Sequence, residues 1–147
     1  MKSKINEVMD CFNSGFDCSQ AILSTYCEDF GLDKETALKI SCGLAAGMAR
    51  LGHTCGAVTG AYLVISLKYG KCSLEDKAAK EKTFELIQEF DKRFIEKNRS
   101  ANCRKLIDVN LQTGDMEYAK RQVKEICPAL VKDAAEILEA ILFEGND

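Results

Sequence analysis

The chain has 147 residues, of which 46% are hydrophobic and 29% charged, a composition that fits one globular domain and excludes a disordered or fibrous protein. The net charge of -3, with lysines interspersed among acids, offers no basic surface for a phosphate backbone, so we expect no nucleic-acid partner. The longest apolar stretch, 57–67, is too short to cross a bilayer, and no apolar signal segment follows the charged amino terminus. We therefore expect one cytoplasmic domain, 1–147, without membrane insertion.

Apolar spacing and capping residues predict helices along nearly the whole chain, with no clear pair of strands. In the first half, one short helix ends near Gly15. A second begins at Asp17, where Gln20 completes a capping box, and stops at Gly31. The helices predicted in this half span about 3–13, 17–31, 34–42 and 54–70, and a Gly/Ala-rich loop at 43–52 precedes the last of them.

In the second half, the pattern predicts a long amphipathic helix, a short helix that begins at Cys103, and two further helices that meet at a proline. Pro128 suits the first position of a helix, where its missing N–H would be unpaired anyway, so we expect a new helix to begin there. The long helix and the last two span about 73–97, 116–125 and 128–143. The predicted fold is an all-α, compact single-domain bundle of six to eight helices.

The eight cysteines divide by their place in these predicted helices. A thiol at a helix amino terminus meets unpaired N–H groups and the positive end of the helix dipole, which lower its pKa and favour the reactive, metal-binding thiolate. Four cysteines lie at or next to a predicted helix start: Cys18, Cys55, Cys103 and Cys127. The other four lie inside helices, at a helix end or in a turn: Cys11, Cys27, Cys42 and Cys72.

The first four are the predicted functional residues, either as catalytic thiols or as metal ligands. They are scattered and form no local Cys-x-x-Cys motif, so a site requires the fold to bring them together. A secreted disulfide scaffold is not favoured, because such scaffolds are usually short and poor in aliphatic core residues.

The segment Cys55-Gly56-Ala57-Val58-Thr59-Gly60 resembles the central motif of the C_GCAxxG_C_C family of redox-active proteins. Upstream, 16–21 resembles the first cysteine motif of that family, and 43–52 its glycine-rich approach to the second. Downstream, 102–106 and 127–131 occupy the places of its third and fourth cysteines. The resemblance covers nearly the whole chain and implies redox activity through the same four cysteines.

Three glycines are predicted to allow close approach to a cofactor. Gly56 and Gly60 share one face of their predicted helix, and Gly47 lies in the loop before it. A glycine inside a helix costs about 1 kcal/mol relative to alanine, so we expect a packing or binding reason for each. Close packing of one helix against another is an equally good interpretation.

Three charged or titratable residues lie near these cysteines in sequence. His53 could ligate a metal or lower the pKa of the Cys55 thiol, although an exposed loop histidine is the simpler interpretation. Arg50 and Arg104 could supply positive charge to thiolates, or could be solvated surface residues.

The leading hypothesis is an iron–sulfur cluster bound by the four cysteines, for electron transfer or redox sensing, with an unidentified redox partner protein. Zinc fits the same four sulfurs, but a helical domain of this size has little need of it. A thiol–disulfide relay is the first alternative, and a helical adaptor with buried cysteines and no cofactor is the second. No hydrolase or transferase motif is present, and homo-oligomerisation is left open.

Overall fold

The structure, a computed structural model, describes residues 1–144 and consists of helices packed around one central helix. Between residues 1 and 144 there is no strand, only an isolated antiparallel bridge between Thr54 and Asn102. In this part of the chain, seven right-handed α-helices and one short left-handed turn, α4, confirm the predicted all-α bundle. In chain order they are α1 (Ile5–Asn13), α2 (Cys18–Tyr26), α3 (Lys34–Cys42), α4 (Ala45–Met48), α5 (Gly56–Tyr69), α6 (Lys77–Asn98), α7 (Cys103–Ile107) and α8 (Met116–Glu144).

Helix α5 lies at the centre because it is apolar on nearly every side. Eight of its residues are buried, and it packs against α2, α6 and α8. A helix without a polar face is stable only when other helices surround it. Helix α1 packs against both α2 and α8, while α3 covers the outside of α2.

The helix starts follow from local capping, as the sequence predicts. Asp17 and Gln20 form the capping box of α2, and the backbone N–H of Asp17 donates to Gln20 Oε1 over 3.1 Å. Asp76 caps α6 by accepting from the backbone N–H of Ala79, and Asn102 caps α7 by accepting from that of Lys105. Two of the cysteines of interest follow such caps directly.

Helix α8 differs from the prediction, because it runs unbroken from Met116 to Glu144 with Pro128 inside it. The proposed helix start at Pro128 is therefore wrong. An internal proline loses one hydrogen bond and costs about 3 kcal/mol. Apolar residues on both sides of it, from Ala119 to Leu142, are buried against the rest of the bundle, and this packing offsets that cost.

The Gly/Ala-rich loop contains a left-handed turn rather than an irregular loop. Five consecutive residues have positive φ angles: 57° at Ala46, 66° at Gly47, 67° at Met48, 53° at Ala49 and 67° at Arg50. The left-handed conformation costs about 1–2 kcal/mol for each residue with a side chain. Such a run persists only where the surroundings hold it in place.

A buried carboxylate joins the two ends of the described chain. Glu139 on α8 is only 3% exposed, and one of its oxygens accepts from the backbone N–H of Lys4 at 2.7 Å and from the Tyr26 hydroxyl at 2.5 Å. Burial, and then the nearby carboxylate, raise the pKa of Tyr26 well above its ordinary value. Within residues 1–144, none of the helices combines the length and apolarity required to span a bilayer.

Candidate functional site

All four cysteines singled out from the sequence line one cavity of about 90 Å³. That volume is several times the roughly 10–15 Å³ that a single water requires. The other lining residues are mostly apolar and come from five parts of the chain: Phe12, Asp17, Ala46, Gly56, Leu106, Ile107, Leu111, Val123, Leu130 and Val131. The fold therefore brings together side chains that are far apart in the sequence.

Three helix starts converge on the cavity. Cys18 is the first residue of α2, Cys55 is the residue before α5, and Cys103 is the first residue of α7. The amino ends of α2 and α5 lie side by side, since Gly56 at the start of α5 lies against Cys18 and Ser19 at the start of α2.

Backbone hydrogen bonds fix Cys55 and Cys103 next to each other. The N–H of Cys55 donates to the carbonyl of Ala101 at 2.8 Å, and the N–H of Cys103 donates to that of His53 at 2.7 Å. These bonds flank the bridge between Thr54 and Asn102. The N–H of His53 in turn donates to the carbonyl of Gly47 at 2.9 Å, which attaches the left-handed turn to the same pair of segments.

Cys127 reaches the cavity by a different route from the one predicted. It lies in the middle of α8, so no unpaired N–H groups of a helix start surround it. Its side chain instead faces the cavity from the flank of that helix, together with Val123, Leu130 and Val131. This spacing of three and four residues places them on one helix face.

The three predicted glycines occupy unlike positions. A Cβ at Gly56 would lie 2.5 Å from Cys18 Sγ, and one at Gly47 would lie 2.6 Å from the Cβ of Cys103. A Cβ at Gly60 would instead lie 2.9 Å from the carbonyl oxygen of Ser19. Gly56 and Gly47 therefore make room for cavity cysteines, whereas Gly60 permits close packing of α5 on α2.

Burial dominates the electrostatics of the four thiols. It raises the pKa of Cys103 to about 11 and that of Cys127 to about 12, and it raises the pKa of Cys18 and Cys55 as well. Burial thus outweighs the lowering of these pKa values expected at helix starts. The negative charge of a Cys18 thiolate is the next cause for the other three, so Cys18 is electrostatically coupled to each of them.

Backbone N–H groups act in the opposite direction on two of the sulfurs. Those of Ala46 and Ser19 lower the pKa of Cys18, and those of Ala57 and Val58 lower that of Cys55. Sequence reasoning missed Ala46, because only the left-handed turn aims its N–H at the sulfur.

The charged and titratable neighbours do not line the cavity. His53 is exposed, and its contribution to the site is through its backbone. Arg104 is exposed and packs over Gly52, where a Cβ would lie 3.0 Å from its own Cβ. Arg50 lines a separate groove beside the cavity.

The remaining four cysteines lie elsewhere. Cys42 and Cys72 are exposed at the surface. Cys11 is half-buried with its sulfur 3.7 Å from Ser24 Oγ, and the buried Cys27 donates to the carbonyl of Ser24 at 3.3 Å. None of them is near enough to the cavity to line it.

In the present side-chain positions the four sulfurs surround the cavity without forming a ligand cage. No three His, Cys, Asp or Glu side chains of residues 1–144 are grouped closely enough to hold a metal ion. None of the cysteines there forms a disulfide. Metal binding therefore requires the sulfurs to turn inward, and disulfide exchange requires two of them to approach each other.

The comparisons with known proteins agree with this arrangement. The family model described as "Putative redox-active protein (C_GCAxxG_C_C)" matches residues 16–141, a span that includes all four cavity cysteines. No curated protein and no solved structure gave a significant match to the chain. On the strength of a match over most of its length, this chain belongs to the C_GCAxxG_C_C family of redox-active proteins.

Proposed function

We propose that Cys18, Cys55, Cys103 and Cys127 bind an iron–sulfur cluster, through which the protein transfers electrons or senses redox conditions. The observation that supports this most is that four cysteines from separate elements line one apolar cavity. Four thiolates are the usual ligand set of such clusters. The reducing cytoplasm, where thiols stay free, is the compartment we propose for it.

The surroundings of the cavity fit an anionic sulfur-ligated group. Backbone N–H groups of Ala46 and Ala57 lower the pKa of Cys18 and Cys55, respectively, and would help to stabilise the negative charge of ligating thiolates. Phe12, Leu130 and Val131 give the cavity an apolar wall. A bound cluster would supply one-electron chemistry, while these residues would set how easily it accepts the electron.

The continuous hydrophobic core of the domain favours an iron–sulfur cluster over structural zinc. Structural zinc is typical of small domains that cannot build a core. Here buried residues from α1, α2, α5, α6 and α8 form one continuous hydrophobic core. The domain therefore needs no metal to fold, and a metal centre would serve chemistry.

The test is anaerobic purification, or reconstitution with iron and sulfide, followed by visible absorption and by iron, sulfide and zinc analysis. We expect broad visible absorption with matching iron and sulfide, lost in Cys55→Ser and Cys127→Ser. Cys42→Ser and Cys72→Ser are matched controls, because both residues are exposed and distant from the cavity, and both should retain the absorption. Colourless, iron-free protein after reconstitution would rule out the cluster.

A thiol–disulfide relay remains the second candidate, supported by the electrostatic coupling of Cys18 to each of the other three sulfurs. In such a relay a thiolate attacks a partner disulfide and a second cysteine resolves the mixed disulfide. Differential alkylation with peptide mass spectrometry distinguishes it. A reversible disulfide between two of the four would favour the relay, and free thiols under mild oxidant would exclude it.

A further inference from the structure

A second concavity lies directly beside the cysteine cavity. It is an open groove of about 250 Å³ that shares two lining residues, Leu111 and Val123, with the cavity. Its other residues come from the left-handed turn and from the first turns of α8: Arg50, Met116, Ala119, Lys120 and Lys124. A molecule in this groove would therefore lie next to the cysteine cavity, with Leu111 and Val123 between the two.

The groove combines an apolar interior with a positive edge. Ala119 is buried and Leu111 and Val123 are half-buried, whereas Arg50, Lys120 and Lys124 are exposed. No acidic residue is among those that line it. The close ion pairs formed among residues 1–144 involve other cations, so none of these three forms one with an acidic side chain of the described chain.

The groove thus places three cations together on a chain whose net charge is -3. The molecule as a whole repels anions, so any attraction for them must come from this local field. The size of the groove decides the kind of anion. A stable protein partner needs a broad face of roughly 20–30 residues, whereas a concavity of this volume fits a molecule of one or two rings.

We propose that this groove binds a small organic anion with an apolar body, such as an aromatic carboxylate, and holds it beside the redox site. The positive edge would pair with the anionic group, and Leu111, Met116 and Val123 would contact the body. That the neighbouring cysteine cavity is a redox site rests on the function proposed above. The binding itself does not depend on any cofactor.

The test is titration of the reduced protein with 2-naphthoate, followed by amide NMR shifts and isothermal calorimetry. We expect saturable binding that weakens with salt, with the largest shifts around Leu111, Met116 and Val123. The neutral isostere 2-naphthamide should bind about tenfold more weakly, because it cannot pair with the lysines. The double variant K120Q/K124Q should lose about the same factor for naphthoate and little for the amide.

The matched control is K77Q/K82Q, which removes two exposed lysines from α6 and changes the net charge equally. It should bind naphthoate like the wild type. The proposal is overturned if naphthoate does not bind, if the amide binds equally well, or if both double variants lose affinity alike. Because the titration requires no cluster, a negative result here leaves the visible absorption of the reconstituted protein unaffected, and the two proposals fail separately.

Discussion

At the residue scale, two glycines leave the space that two of the cavity cysteines occupy. Gly56 lacks the Cβ that would lie 2.5 Å from Cys18 Sγ, and Gly47 lacks one that would lie 2.6 Å from the Cβ of Cys103. Neither contact is tolerable between real atoms. Two of the four sulfurs thus owe their positions to an absent side chain.

Gly56→Ala should therefore displace Cys18 and lower the iron content after reconstitution. Gly60→Ala should lower the free energy of unfolding by about 1–3 kcal/mol through its clash with the Ser19 carbonyl, but leave cluster content per folded molecule unchanged. Gly43→Ala, where a Cβ meets nothing within 4 Å, is the control and should resemble the wild type in both respects. Urea unfolding and iron analysis measure the two effects. Wild-type iron content in Gly56→Ala would contradict this account.

Thiol reactivity should follow exposure rather than position in a helix. Cys42 and Cys72 are exposed, whereas Cys55 and Cys103 are 5% and 8% exposed. With iodoacetamide near neutral pH, we expect Cys42 and Cys72 to be alkylated at least about tenfold faster than the four cavity cysteines. Peptide mass spectrometry at timed intervals measures this, and labelling in concentrated urea is the control. A cavity cysteine that reacts first would instead favour the thiol–disulfide relay.

At the element scale, the helices that carry local signals were predictable and two features were not. Asp17, Asp33 and Asn102 lie at predicted helix starts, and the structure confirms them as capping residues. The long helix α6 begins later than predicted, at Lys77 rather than near residue 73, and its cap is Asp76. The predicted helix start at Pro128 is wrong because the free energy gained by burying residues on both sides of it exceeds its local preference for a helix start. Local propensity is a weak prior wherever tertiary packing competes with it.

The left-handed turn could not be predicted, because four of its five residues carry side chains that disfavour positive φ. Their conformation is imposed from outside, by the bond from His53 and by contact with Cys103. The groove beside the cavity is equally hidden from the sequence, since Arg50 and Lys120 come together only in three dimensions. Which four cysteines meet could be predicted, but what surrounds them could not.

Replacement of Ala49 by glycine tests the strain in this turn. Ala49 is exposed with a φ of 53°, so Ala49→Gly should raise the free energy of unfolding by about 1 kcal/mol. The matched control is Ala129→Gly, which places a glycine at an exposed position inside α8 and should lower it by about 1 kcal/mol. Urea unfolding measures both. Effects of the same sign would show that the turn stores no strain.

At the scale of the whole molecule, Glu139 connects the chain's first helix, α2 and α8 through Lys4 and Tyr26. These contacts close the bundle around α5, on which α2 and α8 also pack. The positions of Cys18 on α2 and Cys127 on α8 therefore depend on a network at some distance from the cavity. Anything that opens this network should loosen the site.

Alkaline pH should open the network of Glu139, Lys4 and Tyr26. The pKa of Tyr26 is raised in the folded protein, so the folded state holds this proton more tightly than the unfolded state, in which tyrosine has a pKa of about 10. The stability that Tyr26 contributes is complete below that pH and is lost progressively above it. The buried cysteines act in the same direction from a somewhat lower pH.

The variant Tyr26→Phe separates the effect of Tyr26 on the pH dependence of stability from that of the buried cysteines. The variant should be about 1–3 kcal/mol less stable at neutral pH, since Glu139 loses a buried hydrogen bond. Its stability should then fall less steeply than that of the wild type above about pH 10. Urea unfolding measured from pH 7 to pH 11 gives both slopes. Parallel curves would mean that Tyr26 does not titrate with unfolding.

The order in which the cysteines occur along the chain has a consequence for biosynthesis. Cys18, Cys55 and Cys103 leave the ribosome first, and the bridge between Thr54 and Asn102 can already form when they have emerged. Cys127 follows last, on a helix that must also pack over the cavity. A partly translated chain that ends before α8 lacks the fourth cysteine, so under the proposed function a cluster with all four ligands would form only after α8 has been made.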